Sequence, residues 1–205
     1  MPEPTTRAIF ALAAHAFADQ VDRIPAGAWD GPGLGDWDLR ALVGHASRSL
    51  VTVITYLPRT TEMAVVTSVA QYYEAAVEMM AADPAAVTER GRQAGKALGD
   101  DPVVTVRDLV DQCLTALDAT PGDPVIETIV GGMRLEQYLV TRIFELVVHG
   151  LDIGAATGSP AVPPDESLVE SLRLAVDVAV LRGRGAELLL ALTGRGTLAA
   201  GFSVV

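Results

Sequence analysis

Apolar residues recur at every third or fourth position along most of this chain, a spacing typical of amphipathic α-helices. Residues that end or begin helices interrupt the pattern, among them Pro25, Pro58 and Pro84. The pattern predicts helices over residues 5–24, 38–57, 66–82, 84–98, 103–119, 134–156 and 164–182. Because several of these helices are long and amphipathic, we predict a mainly α fold in which four long helices form a bundle and shorter helices are added to it.

One segment favours a different structure. Residues 125–130 are β-prone and lie between Pro124 and Gly131-Gly132, so we predict a short strand there. The end of the chain, residues 201–205, is the partner that we expect for it. This gives a small β pairing near the C-terminus.

Composition limits the function further. The chain has 205 residues, one cysteine and a formal net charge of −11. The length suits one hydrophobic core, so we expect residues 1–205 to form a single domain. The acidic balance argues against binding to nucleic acid, and the lone cysteine excludes a disulfide framework. With no signal peptide pattern at the start and no apolar run long enough for a membrane span, we expect a soluble, cytoplasmic protein.

The predicted helix over 134–156 carries ionisable residues on the face that should turn towards the core. Arg142, Glu145, His149 and Asp152 all occupy or border its apolar stripe. Charged groups on such a face must pair, change protonation or bind metal, because burying them alone is costly. Glu145 and His149 are four residues apart, so both can bind one divalent cation. Arg142 and Asp152 are candidates for orienting these ligands through hydrogen bonds.

A third ligand should come from another helix, and His45 is the candidate. It lies at the flank of the apolar face of the predicted helix over 38–57. Two histidines and a glutamate would leave a coordination position open, as in catalytic zinc sites. The alternatives to a metal site are a salt-bridged network around Arg142 and, for His45, a histidine at the edge of the core that is hydrogen-bonded to the backbone. Cys113 follows a helical apolar pattern and is interpreted as a buried core residue.

The same residues resemble a known family. Trp29, the segment Gly35–His45, the segment Arg142–Asp152 and the ending Leu-Thr-Gly-Arg195 with Gly201-Phe202 are similar to the mycothiol-dependent maleylpyruvate isomerases. The metal-binding domain of that family is a DinB-like four-helix bundle. The resemblance therefore implies the same bundle here.

The resemblance also implies a function. It implies a divalent metal, typically zinc, held by His45, Glu145 and His149, with the small thiol mycothiol as co-substrate and an electrophilic small molecule as substrate. The activity would be that of an isomerase or a thiol S-transferase, in a monomer or homodimer. The family's isomerases carry a further C-terminal α/β domain, and too few residues follow Arg182 for one here, so the reaction itself is open. A DinB-like protein that binds a metal or small molecule without catalysis is the alternative.

Overall fold

The computed structural model describes residues 4–205, except for the side chains of residues 80 and 81, and this part of the chain forms helices and one small hairpin. The elements are α1 (Thr6–Asp22), a 3-10 turn (Ala26–Ala28), α2 (Leu39–Tyr56), α3 (Val69–Ala82), α4 (Pro84–Ala97), α5 (Pro102–Asp118), β1 (Val125–Thr128), β2 (Gly131–Arg134), α6 (Leu135–Thr157), α7 (Asp165–Leu181) and α8 (Gly185–Leu192). Every predicted helix overlaps an observed one, and the mainly α fold class is confirmed. The short helix α8 was not predicted, because eight residues between glycines carry little periodic signal.

Four helices enclose the core. α1 and α2 each pack against both α5 and α6, so the four form a closed bundle. Each contributes side chains with no exposed surface, among them Phe10, Leu42, Val106 and Leu139. Removing such side chains from water is the main favourable term in folding. α7 packs on α6 and α1, and α4 packs on the outer side of α2.

The helix starts are encoded locally. The carboxylates of Asp38, Asp83 and Asp101 and the hydroxyl of Thr5 each accept a hydrogen bond from a backbone N–H in the first turn of the following helix. The carboxylate of Asp38 accepts from the Ala41 N–H at 2.7 Å. This cap determines where α2 begins and therefore where His45 lies along it.

The strand prediction was right for residues 125–128 but wrong about the partner. β1 pairs antiparallel with β2, so that Val125 faces Arg134, and residues 201–205 contain no strand. The local partner forms because Gly131 takes a positive φ of 116° and the Thr128 hydroxyl donates to its carbonyl. Gly131 and Gly132, which we expected to end a strand, therefore lie at the turn and begin β2.

Within residues 4–205, no helix combines the length and the apolar character needed to cross a membrane.

Candidate metal centre

Two neighbouring helices of the bundle bring the predicted ligands together. His45 comes from α2, and Glu145 and His149 come from successive turns of α6. One potential ligand atom from each side chain lies within 4.8 Å of the other two. The structure therefore brings His45 close to Glu145 and His149, which lie about a hundred positions later in the chain. That they bind a metal stays a prediction.

Hydrogen bonds hold the two α6 residues in place. Nε2 of His149 lies 3.3 Å from Glu145 Oε2, and Nδ1 of His149 lies 3.0 Å from Asp152 Oδ2. The other oxygen of Glu145 accepts a hydrogen bond from the Tyr73 hydroxyl at 2.7 Å. Both the carboxylate and the imidazole are thus oriented by neighbours, as ligands of protein metal sites are.

His45 is the least satisfied member of the group. Its Nδ1 atom is buried and has no hydrogen-bond partner among residues 4–205. Its ring stacks on Trp37 with centroids 4.5 Å apart and meets the ring of His149 edge to face at 4.8 Å. A buried polar atom without a partner costs free energy, so an imidazole packed in this way fits a role that another group completes.

The pKa values of the three groups move in different directions. Burial, followed by the nearby charge of His149, lowers the pKa of His45 to about 4, so this ring is neutral at pH 7. Burial alone would raise the pKa of Glu145, but the His149 hydrogen bond and the charge of Arg142 outweigh it and lower the pKa to about 2. Burial alone would lower the pKa of His149, but hydrogen bonds with Asp152 and Glu145 raise it to about 9.

Arg142 and Asp152 behave differently from each other. Asp152 contacts His149, as its predicted orienting role requires. Arg142 takes part in no ion pair among residues 4–205, which argues against the salt-bridged network as an explanation for it. Its Nε donates to the Thr141 hydroxyl at 2.9 Å, and its guanidinium lies over the ring of Tyr138 at 4.9 Å.

A cavity of about 320 Å³ opens beside two of the three candidate ligands. His45 and Glu145 line it together with Tyr56, Tyr72, Tyr73, Tyr138, Arg48, Arg90 and Arg142. The sequence analysis missed the tyrosines and two of the arginines. All four tyrosines of the chain line this cavity. Their small number and shared location could have indicated a site, but nothing in the sequence places α3 beside α6.

The donor set suits a divalent cation. It offers two imidazoles and one ionised carboxylate, the ligand types that zinc takes up in proteins. The carboxylates of Glu145 and Asp152 supply negative charge, and the buried Nδ1 of His45 finds no hydrogen-bond partner in the described part of the chain. The residues present therefore fit a bound metal ion.

Comparison with known proteins decides the family. The family model of the mycothiol maleylpyruvate isomerase N-terminal domain matches residues 10–154. The chain belongs to this family. His45, Glu145 and His149 all lie within the part that matches the mycothiol maleylpyruvate isomerase N-terminal domain, whereas α7 and α8 lie outside it. A search of curated proteins and a search of solved structures each found no significant match.

Proposed function

We propose that this chain is a divalent-metal-dependent enzyme that joins a small thiol to an electrophilic substrate. His45, Glu145 and His149 would hold the ion, and zinc is the metal that their donor set favours. The observation that supports this most is the approach of three ligand atoms to within 4.8 Å beside a cavity. The family name indicates mycothiol as the thiol.

The ion and the protein would have separate tasks. When bound, a divalent cation lowers the pKa of a thiol or water that it contacts, which makes a nucleophile at neutral pH. Glu145 and His149 would be kept in position by Tyr73 and Asp152 through the hydrogen bonds described above. Trp37 would hold the His45 ring by stacking on it. Three protein ligands are the number that catalytic zinc sites use.

Two reactions fit such a site. In an isomerisation, the thiol sulfur adds to an activated double bond, the resulting single bond rotates, and elimination of the thiol restores the double bond. In a transfer, the sulfur displaces a leaving group from the substrate and stays bonded to carbon. Both need room for two small molecules side by side, and a cavity of about 320 Å³ borders the candidate ligands.

Metal analysis is the first test. We expect tag-free wild-type protein to contain a stoichiometric divalent metal by elemental analysis, and His149→Ala to lose it while keeping its helical circular dichroism. His15→Ala is the matched control, because His15 is exposed on α1 and should leave the metal content unchanged. Wild-type protein without metal, or full metal content in His149→Ala, would contradict the proposal.

Activity is the second test. Metal-loaded protein is incubated with mycothiol and a panel of electrophiles, and thiol consumption and substrate isomerisation are followed against the metal-free protein. We expect a metal-dependent rate with at least one electrophile. A protein that binds metal but gives no rate above the metal-free control would support the non-catalytic binding protein instead.

A further inference from the structure

The outward face of α7 is apolar. Val169, Leu172, Val176 and Val180 follow one another at steps of three and four residues, so they lie on one side of the helix, and each is at least 40% exposed. A helix at the surface of a globular protein normally turns charged and polar residues outward. We call these four residues the α7 stripe.

The opposite face of the same helix packs against the bundle. Ser167, Ser171, Leu174 and Val178 are buried there. The Ser167 hydroxyl donates to the carbonyl of Ile9 at 3.3 Å, and the Ser171 hydroxyl donates to the carbonyl of Ser167 at 2.8 Å. The stripe is therefore a second apolar face, in addition to the one that packs on the core. A helix that is apolar on opposite sides is expected between two layers of protein.

The short helix α8 adds to the exposed apolar surface. It packs on α7, and none of its residues is buried. It begins beside the end of the stripe, since a Cβ atom built on Gly185 would lie 2.7 Å from Cγ2 of Val180. Three of its leucines are exposed, namely Leu189, Leu190 and Leu192.

The apolar area of this surface is that of a protein interface. At the exposures found, the stripe and the three leucines present about 500 Å² of apolar side-chain surface, and the largest patch on a monomer is about 300–600 Å² and is often functional. Each partner in a stable complex buries about 800 Å², of which about 65% is apolar in homodimers. The surface therefore offers about the apolar area that one half of a homodimer interface contains.

The charges beside the stripe favour a second copy of this chain as the partner. Arg173 and Asp177 are exposed and lie four residues apart on one flank of the stripe. Asp177 takes part in no ion pair among residues 4–205, and the Arg173 side chain is 67% exposed although it contacts Glu170 at 3.4 Å. In two antiparallel α7 helices related by a two-fold axis at Ala175, Arg173 of each copy lies opposite Asp177 of the other. The same ion pair then forms twice, as a symmetric interface requires.

We propose that this chain forms a homodimer through antiparallel packing of the α7 stripes of two copies. Leu172 of each copy lies between Val176 and Val180 of the other. A lipid surface fits less well, because Glu166 and Asp177 flank the stripe and helices that lie on membranes are basic on their polar face. Neither α7 nor α8 carries a candidate metal ligand, so the dimer can be tested independently of the proposed function.

Sedimentation velocity over a range of protein concentrations is the first test. We expect the wild type at about 10 μM to sediment with twice the mass of the chain, because interfaces of this size have micromolar or lower dissociation constants. Val176→Glu places an unpaired carboxylate from each copy at the centre of the dimer, so its dissociation constant should rise at least about 100-fold. Its helical circular dichroism and metal content should be unchanged. Val104→Glu is the matched control, because Val104 is an exposed valine on α5, and this variant should dimerise as the wild type does.

The ion pair tests the two-fold arrangement. Arg173→Asp and Asp177→Arg should each weaken the dimer about tenfold, because like charges then face each other twice. The double variant restores opposite charges and should recover most of the affinity. The inference is overturned by a wild type that stays monomeric, including one that binds phosphatidylcholine vesicles instead. It is equally overturned by a dimer that Val176→Glu leaves intact, or by a double variant that dimerises no more tightly than the single variants.

Discussion

The carboxylate of Asp152 accepts a hydrogen bond from Nδ1 of His149 at 3.0 Å, three residues along α6. An ionised carboxylate only accepts, so Nδ1 carries a proton in both the neutral and the charged ring. Nε2, which is directed at Glu145, must lose the proton that the raised pKa of His149 keeps on it before a cation can bind there. This pair determines which nitrogen of His149 is available to a cation. It is the arrangement by which metal-binding histidines are oriented in proteins.

Asp152→Asn should therefore weaken metal binding without unfolding the protein. The loss of the charged acceptor leaves the ring orientation less well defined, and changes of this kind cost about 10- to 100-fold in metal affinity. Competition with a chromophoric chelator measures the affinity. Asp177→Asn, at an exposed position on α7, should have no effect. Equal affinities for the two variants would show that Asp152 does not orient the ligand.

Tyr73→Phe removes the hydroxyl that donates to Glu145 at 2.7 Å. A buried hydrogen bond to a charged group is worth about 1.5–3 kcal/mol, so the free energy of unfolding of the metal-free protein should fall by about that amount. Urea denaturation followed by circular dichroism measures it. Tyr56→Phe is the control, since the Tyr56 hydroxyl makes no hydrogen bond to other described residues although its ring is buried in the same cavity wall. Equal losses in the two variants would contradict a special role for the Tyr73 hydroxyl.

Much of this site follows from local sequence. The spacing of Glu145 and His149 places them on one face of α6, and the Asp38 cap gives α2 its start, so both ligand-bearing helices were predictable. The neighbours of the ligands were not. Tyr73 reaches Glu145 from α3, and this contact depends on how a loop returns α3 to the bundle rather than on periodicity. Helical periodicity specifies which face of each helix is buried. How two helices that are not adjacent in sequence pack together depends instead on the shapes of the residues that meet between them.

The contact between α2 and α4 also depends on the shapes of the residues that meet there. A Cβ atom built on Gly44 would lie 2.2 Å from the backbone nitrogen of Gly95, so the helices can approach this closely only without that side chain. Gly44→Ala should thus destabilise the protein by about 1–3 kcal/mol or more, because backbone must move. A glycine-to-alanine change inside a helix without such a clash stabilises the protein by roughly 0.5–1 kcal/mol. The sign of the change in the free energy of unfolding therefore shows whether the clash occurs.

Urea denaturation again gives the measurement, and Gly27→Ala is the control for the Gly44 variant. A Cβ at Gly27 meets no atom of the described residues within 4 Å. We expect its free energy of unfolding to stay close to that of the wild type. A Gly44→Ala protein as stable as the wild type would mean that the two helices can separate at little cost.

Cys113 bears on where a reacting thiol comes from. It is the one cysteine of the chain, it has no exposed surface, and burial raises its pKa to about 12. The thiolate is the reactive form, and at pH 7 a thiol with that pKa is ionised in about one molecule in 10⁵. The interpretation of Cys113 as a buried core residue is confirmed, and a thiol used in catalysis must then be supplied by a second molecule.

Native protein should accordingly resist Ellman's reagent at pH 8, whereas protein in concentrated urea should react with one thiol per chain. Raising the pH increases the thiolate fraction, but burial still keeps the reagent away from Cys113. Labelling should therefore stay slow at every pH at which the protein remains folded. Rapid labelling of folded protein would contradict both the burial and the pKa. It would also make Cys113 a competing nucleophile. The proposed thiol-transfer reaction would then have to be tested in Cys113→Ala, where any remaining rate must come from the added thiol.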